Sequence, residues 1–99
     1  MSPNRRKKVE ERIAELNTAI GSLHEVAGKL RGARPFVTPL VEEARNAGLK
    51  LVETRLGFLQ ILKECLEKGE MWTEKDEERK KQQEEEMNGA EKEWQRLFR

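Results

Sequence analysis

The sequence predicts an all-α protein: a coiled-coil-like antiparallel helical hairpin followed by a charged third helix, the whole assembling as a dimeric helical bundle. Three observations carry that expectation. Apolar residues near the N-terminus recur at alternating spacings of four and three. The middle of the chain is apolar around more than half of a helical circumference. Pro occurs only at positions 3, 35 and 39, so no Pro interrupts the pattern from residue 40 onward.

The first helix is read from about 3 to 31. Ser2 suits the N-cap and Pro3 the first helical position, where a missing N–H costs nothing. Val9, Ile13, Leu16, Ile20, Leu23, Ala27 and Leu30 then follow without a slip. This is a heptad seam, with Ile13, Ile20 and Ala27 at a and the others at d. Gly21 and Gly28 lie one heptad apart on the back of this helix. Each costs about 1 kcal/mol against Ala, and a solvent-facing back explains them better than a close helix contact.

Gly32 suits the residue just past a helix end, Pro35 keeps Arg34 out of helical geometry, and Thr38 caps a new helix with Pro39 at its first position. The second helix, 39–68, is the hydrophobic centre. Leu40, Ala44, Ala47, Leu51, Phe58, Leu62 and Cys65 cluster on one side, and Val41, Leu49, Val52, Leu56, Leu59 and Leu66 extend the arc along one flank. A helix with one neighbour needs a stripe only a little over about 100° wide, so this helix requires at least two partners. A turn centred on Pro35 sets Leu30 against Leu40, Leu23 against Ala47, Ile20 against Leu51 and Ile13 near Phe58. The same register places Glu15 opposite Arg55, a candidate ion pair fixing the alignment, since a charge within an apolar arc is costly unless paired.

Gly69 marks the end or a bend of helix two. Thr73-Glu74-Lys75-Asp76 resembles a capping box with Asp in place of Glu or Gln. No apolar side chain occurs from Glu74 to Glu86, although Asp76–Lys80 and Glu77–Lys81 are favourable i,i+4 pairs. The stretch reads as solvated and unable to pack into a core. Apolar spacing resumes at Met87, Ala90, Trp94, Leu97 and Phe98. The expected organisation is therefore a hairpin over 1–72 and a charged helical arm over 73–99. With the arm offering no cover, a second copy of the chain is expected on Leu49, Val52, Leu56, Leu59 and Leu66. Trp94, Leu97 and Phe98, ending a polar arm, read equally as a further partner contact or as packing back onto the dimer.

No catalytic residue, cofactor site or metal-ligand set emerges. His24 stands alone beside the seam with no second His or Cys nearby, and Cys65 lies between Leu62 and Leu66 as a small hydrophobe. Glu84, Glu85 and Glu86 are consecutive, so they point in different directions. Glycines are scattered singly, with no phosphate-binding loop. An enzyme is not expected. Twenty basic and 19 acidic residues give a net charge of +1, so no global field attracts nucleic acid or acidic lipid. Arg5, Arg6, Lys7 and Lys8 form a candidate nucleic-acid contact, disfavoured because no aromatic residue is interleaved to stack on bases. A single Cys, no secretory leader pattern and no apolar run near about 20 residues suggest a cytoplasmic or nuclear location without a membrane span.

The function expected is a non-enzymatic protein–protein interaction or oligomerisation module, a scaffold or adaptor acting through helix packing as a homodimer. The alternatives are a small nucleic-acid-associated helical protein using its basic ends, and a helical inhibitor or chaperone that buries its apolar face on one partner.

Overall fold

The computed structural model describes residues 3–32 and 38–98. Three long helices account for nearly all of them: α1 (Pro3–Gly32), α2 (Pro39–Lys68) and α3 (Glu74–Leu97), with a single 3-10 turn (Gly69–Met71) between α2 and α3. The expected N-cap Ser2 and the linker positions Arg34 and Pro35 lie outside the described residues. The chain measures 56 × 25 × 20 Å with a radius of gyration of 16.6 Å, against about 13 Å for a spherical domain of this length. It is elongated, with two short dimensions that differ little.

The helix ends follow the local chemistry. Thr38 is extended and its hydroxyl accepts from the Val41 N–H at 3.4 Å, with Pro39 next, so α2 starts where the sequence places it. At its other end Gly69 takes φ 54° and donates its N–H to the Cys65 carbonyl, closing the last turn of α2. Only glycine holds that positive φ without strain, so Gly69 ends the helix rather than bending it. Gly32, by contrast, is the last residue of α1 itself.

The capping box at Thr73 is complete. The Thr73 hydroxyl accepts from the Asp76 N–H, and the Asp76 carboxylate accepts from the Thr73 N–H at 3.1 Å. Lys68, from the last turn of α2, reaches Asp76 at 3.1 Å, and Arg79 lies 3.6 Å from it. The Trp72 indole donates to Glu77 at 2.8 Å. One carboxylate thus ties the end of α2 to the start of α3 and sets the direction in which α3 departs.

Helix α1 buries the seam its sequence announces. Val9, Ile13, Ile20, Leu23 and Leu30 are half-buried, and Leu16 and Ala27 are fully so. The backs of Gly21 and Gly28 meet nothing. Their register against α2 differs from the expected one. Arg45 donates to the Leu30 carbonyl at 3.0 Å, Arg31 pairs with Glu53 at 2.6 Å, Val26 shares a hollow with Gly48 and Val52, and Leu23 shares one with Phe58 and Leu59. Helix α1 therefore lies about one heptad farther along α2 than a turn centred on Pro35 gives. A seam that repeats every seven residues is unchanged by a slip of seven, so apolar matching alone cannot choose between the two alignments. The slip leaves Leu40 64% and Val41 40% exposed beyond the end of the α1 contact.

The larger correction concerns α3. Instead of projecting as an arm, it turns back and packs along α2 as extensively as α1 does. Its shielded residues are Asp76, Lys80, Gln83, Met87, Ala90, Glu91, Trp94 and Leu97, and all but Glu91 form a second unbroken heptad seam. Three of its seven residues are polar. Two of them, Asp76 and Gln83, bond to α2, and Lys80 pairs with Glu77 on its own helix. Gln83 donates its amide to the Thr54 carbonyl at 3.0 Å, and flanking ion pairs join Arg79 to Glu64, Arg55 to Glu91 and Lys50 to Glu93. Among the described residues α1 and α3 make no backbone approach to each other; both rest on α2.

Two predictions follow from these helix ends. Gly69→Ala forces a β-carbon into a positive φ and should cost about 1–3 kcal/mol, whereas Gly21→Ala and Gly28→Ala each remove a helix-interior glycine from open surface and should add up to about 1 kcal/mol; thermal unfolding followed by circular dichroism checks both signs. Asp76 is held below its ordinary value, chiefly by the Thr73 backbone N–H, and Glu77 by the Trp72 indole. A depressed carboxyl stabilises the fold above its unfolded value and loses that contribution as pH falls through the folded one. The start of α3 should therefore loosen as pH drops below the ordinary values of 4.5 and 3.8, seen as a change in Trp72 fluorescence that Asp76→Asn brings on at neutral pH.

Candidate functional site

Helix α2 carries three stripes, and its two neighbours occupy two of them. Helix α1 lies over the flank of Arg45, Leu49, Val52, Leu56 and Leu59; Leu56, at its centre, is 6% exposed. This is most of the flank expected to take a second copy; Leu56 is buried, whereas Leu49, Val52 and Leu59 are half-buried, and Val52 and Leu59 also line two hollows between the outer helices. Helix α3 lies over the stripe that includes Ala47, Thr54, Gly57, Ile61, Glu64 and Lys68, of which Ala47 and Ile61 are buried.

The third stripe stays open between the two outer helices. Val41, Ala44, Gly48, Leu51, Arg55 and Phe58 recur along α2 at spacings of three and four and form the floor of a groove. Helix α1 contributes Ala19, Ser22 and Val26 to one wall; α3 contributes Met87 and Trp94 to the other. The groove contains two hollows in line. One, of about 480 Å³, is bounded by Val26, Val41, Ala44, Gly48, Leu51 and Trp94. The other, of about 390 Å³, is bounded by Ala19, Leu23, Phe58, Leu59 and Met87. Arg55, which lines the second hollow, approaches Glu91 to 3.9 Å, both substantially exposed.

Trp94 defines the upper end. A β-carbon built on Gly48 would lie 2.9 Å from its ring, so the indole sits where only glycine leaves room. Phe98 packs on the indole with ring centroids 4.6 Å apart and is itself 63% exposed. Gly57 plays the same part lower down, where a β-carbon would lie 2.6 Å from the Gln83 amide nitrogen. These two glycines, not Gly21 and Gly28, are the positions at which helices approach closely. The sequence does contain the signal: glycine twice within the most apolar helix, facing an α3 seam that becomes visible only when its polar members are counted.

The remaining expected residues separate. Glu15 is bound by Arg12 on its own helix at 2.9 Å, and Arg55 lies by Glu91, so the Glu15–Arg55 pair does not form; the one-heptad slip carries the two apart. Trp94 is in the groove, Phe98 borders it, and Leu97 belongs to the α3 seam. Leu66 is half-buried near the end of α2. Arg5, Arg6, Lys7 and Lys8 lie exposed on the first turns of α1, with Arg6 3.8 Å from Glu10. His24 is exposed, and Cys65 is a half-buried free thiol. Among the described residues no three His, Cys, Asp or Glu side chains gather as a metal site would require, and no helix is long and apolar enough to cross a membrane.

No family model matches the chain, and no curated protein or solved structure matches it either.

Gly48→Ala should drive the Trp94 ring out of its seat, costing about 1–3 kcal/mol as an overpacked contact does and shifting Trp94 emission to longer wavelength; an unchanged spectrum and melting point would show that the indole does not pack on residue 48.

Proposed function

We propose that this chain is a non-enzymatic protein–protein interaction module that works by helix–helix packing, with the groove between α1 and α3 as its contact surface. The observation that carries this reading is the open heptad stripe on α2. Helices α1 and α3 already pack on stripes of the same period, and the third stripe, apolar except for Arg55, is only partly covered: Val41 is exposed, Ala44, Leu51 and Phe58 are half-buried, and Gly48 lies under Trp94.

Supporting features lie at the same place. Val26, Leu40, Val41 and Phe98, four of the most exposed large apolar side chains among the described residues, line or border the upper half of the groove. A contiguous apolar surface rimmed by polar groups is the usual mark of a contact site, and aromatic side chains such as Trp94 and Phe98 are enriched where contact energy concentrates. The walls are fixed on both sides, by the α1 seam and by the Trp94–Gly48 and Gln83–Thr54 contacts, so a ligand would meet a preformed surface.

A photoreactive phenylalanine analogue placed at Val26 in the cells that make this protein should crosslink to protein, while the same analogue at Gly21, on the outer back of α1, should not. Equal or absent protein crosslinking at the two positions would contradict the reading.

A further inference from the structure

The register of α1 carries one end of that helix clear of the bundle. Helices α1 and α2 each have 30 residues, about 45 Å of helix, yet the molecule is 56 Å long. The one-heptad offset accounts for the difference, since seven residues move the start of α1 about 10 Å past the end of α2. Val9 is the first shielded residue of α1, and residues 3–8 are all exposed. Helix α3, whose first turn carries Glu74 and Glu77, makes no backbone approach to α1.

The projecting spur holds Arg5, Arg6, Lys7 and Lys8 and no acid. At about 100° per residue, four consecutive side chains point to four sides of a helix. Along a bundle, one of the four would face a neighbouring helix; here all of them reach water. Arg6 lies 3.8 Å from Glu10 on its own helix, with both side chains at least 70% exposed. A pair so exposed is weak and yields readily to a stronger anion.

A collar of cations suits a polyanion that has a wall on either side. A flat anionic surface meets only the side turned toward it. Residues 3–8 also offer no large apolar side chain to sink into a bilayer, as surface-seeking helices do. The major groove of B-form DNA is about 12 Å wide and 8.5 Å deep. The helix is about 10–12 Å across and the spur about 9 Å long. The aromatic residues that this segment lacks serve to stack on single-stranded bases, whereas a duplex keeps its bases stacked and is held through its phosphates. The major groove of an RNA duplex is too narrow for such an entry.

We propose that residues 3–8 of α1 enter the major groove of duplex DNA end-first, with Arg5, Arg6, Lys7 and Lys8 on phosphates of both walls and no base sequence read. The spur lies roughly 30 Å along α1 from Val26, so this contact is separate from the groove on α2 and does not depend on it. Four phosphate contacts give a slope of log affinity against log salt of about −3.6, which is roughly a hundredfold loss between about 50 and 200 mM salt.

The test is fluorescence anisotropy of a labelled, mixed-sequence DNA duplex titrated with the full chain across a salt series. The expected result is binding with that slope. Lys7→Gln with Lys8→Gln should make the slope shallower by about two. Lys29→Gln with Lys92→Gln removes the same charge from exposed positions away from the spur and should leave the slope unchanged. Circular dichroism shows that both variants keep their helicity. Absence of binding at about 50 mM salt overturns the proposal. Equal losses in the two variants also overturn it, because net charge and not the spur would then be the cause. Equal or tighter binding to single-stranded DNA, to an RNA duplex or to phosphatidylserine vesicles overturns it as well, since none of these offers a groove that admits the spur.

Discussion

Between Ala44 and Leu66 only Asn46, Lys50, Glu53, Arg55 and Gln60 of helix α2 are exposed, and the cover on the rest comes from two helices whose backbones rest on α2 and not on each other. The rest of the molecule depends on this arrangement. Neither outer helix has a core of its own. Helix α1 buries a single narrow seam, and α3 buries one in which three of seven residues are polar. The least exposed residues, Ala27 on α1 and Ala90 on α3, are small, so the outer helices come close to α2 instead of inserting large side chains into it. Stability thus rests on many shallow contacts along a line, and the loss of α2 packing would release both neighbours together.

The same constraint leaves the groove open. Two helices flanking a third can cover two of its stripes; covering the remaining one takes a direct contact between the outer pair or a fourth helix. Here Trp94 leans toward that space from α3 and Val26 from α1, but they only border it. Trp94 is held over Gly48, so it stands as a wall and leaves the hollow unfilled. Apolar surface left in contact with water is unfavourable, and its concentration in one elongated groove is the physical basis for reading the chain as part of a larger helical assembly.

Much of this was legible in the sequence, and the parts that were not share a cause. The α1 seam, both ends of α2, the termination at Gly69 and the Thr73–Asp76 capping box follow from local patterns: apolar spacing, a positive-φ glycine, a hydroxyl three residues before its N–H donor. What required the structure was how the helices align. A heptad seam fits equally well after a slip of seven, so the pairing of Leu30 with Leu40 and of Glu15 with Arg55 looked as good on paper as the alignment that forms. The α3 seam was hidden because Asp76, Lys80 and Gln83 do not count as apolar, yet they occupy core-facing positions and satisfy their polar groups against Lys68, Thr54 and their own helix. Period, more than hydrophobicity, was the signal there. Once α3 is placed, Gly48 and Gly57 become intelligible, and the flank of Leu49, Val52, Leu56 and Leu59 passes from an external interface to the bed of α1.

The contact between the Trp94 indole and Gly48 tests this account most directly, because it exists only if α3 folds back and seats on α2. Nuclear Overhauser effects between the indole ring protons and the Gly48 α-protons, measured at a concentration where the chain is monomeric, should be strong, with α3 amides protected from exchange as those of α2 are. Absence of those cross-peaks together with freely exchanging α3 amides would mean that α3 is a loose arm, that α2 has lost one of its two covers, and that the groove described here does not exist in solution.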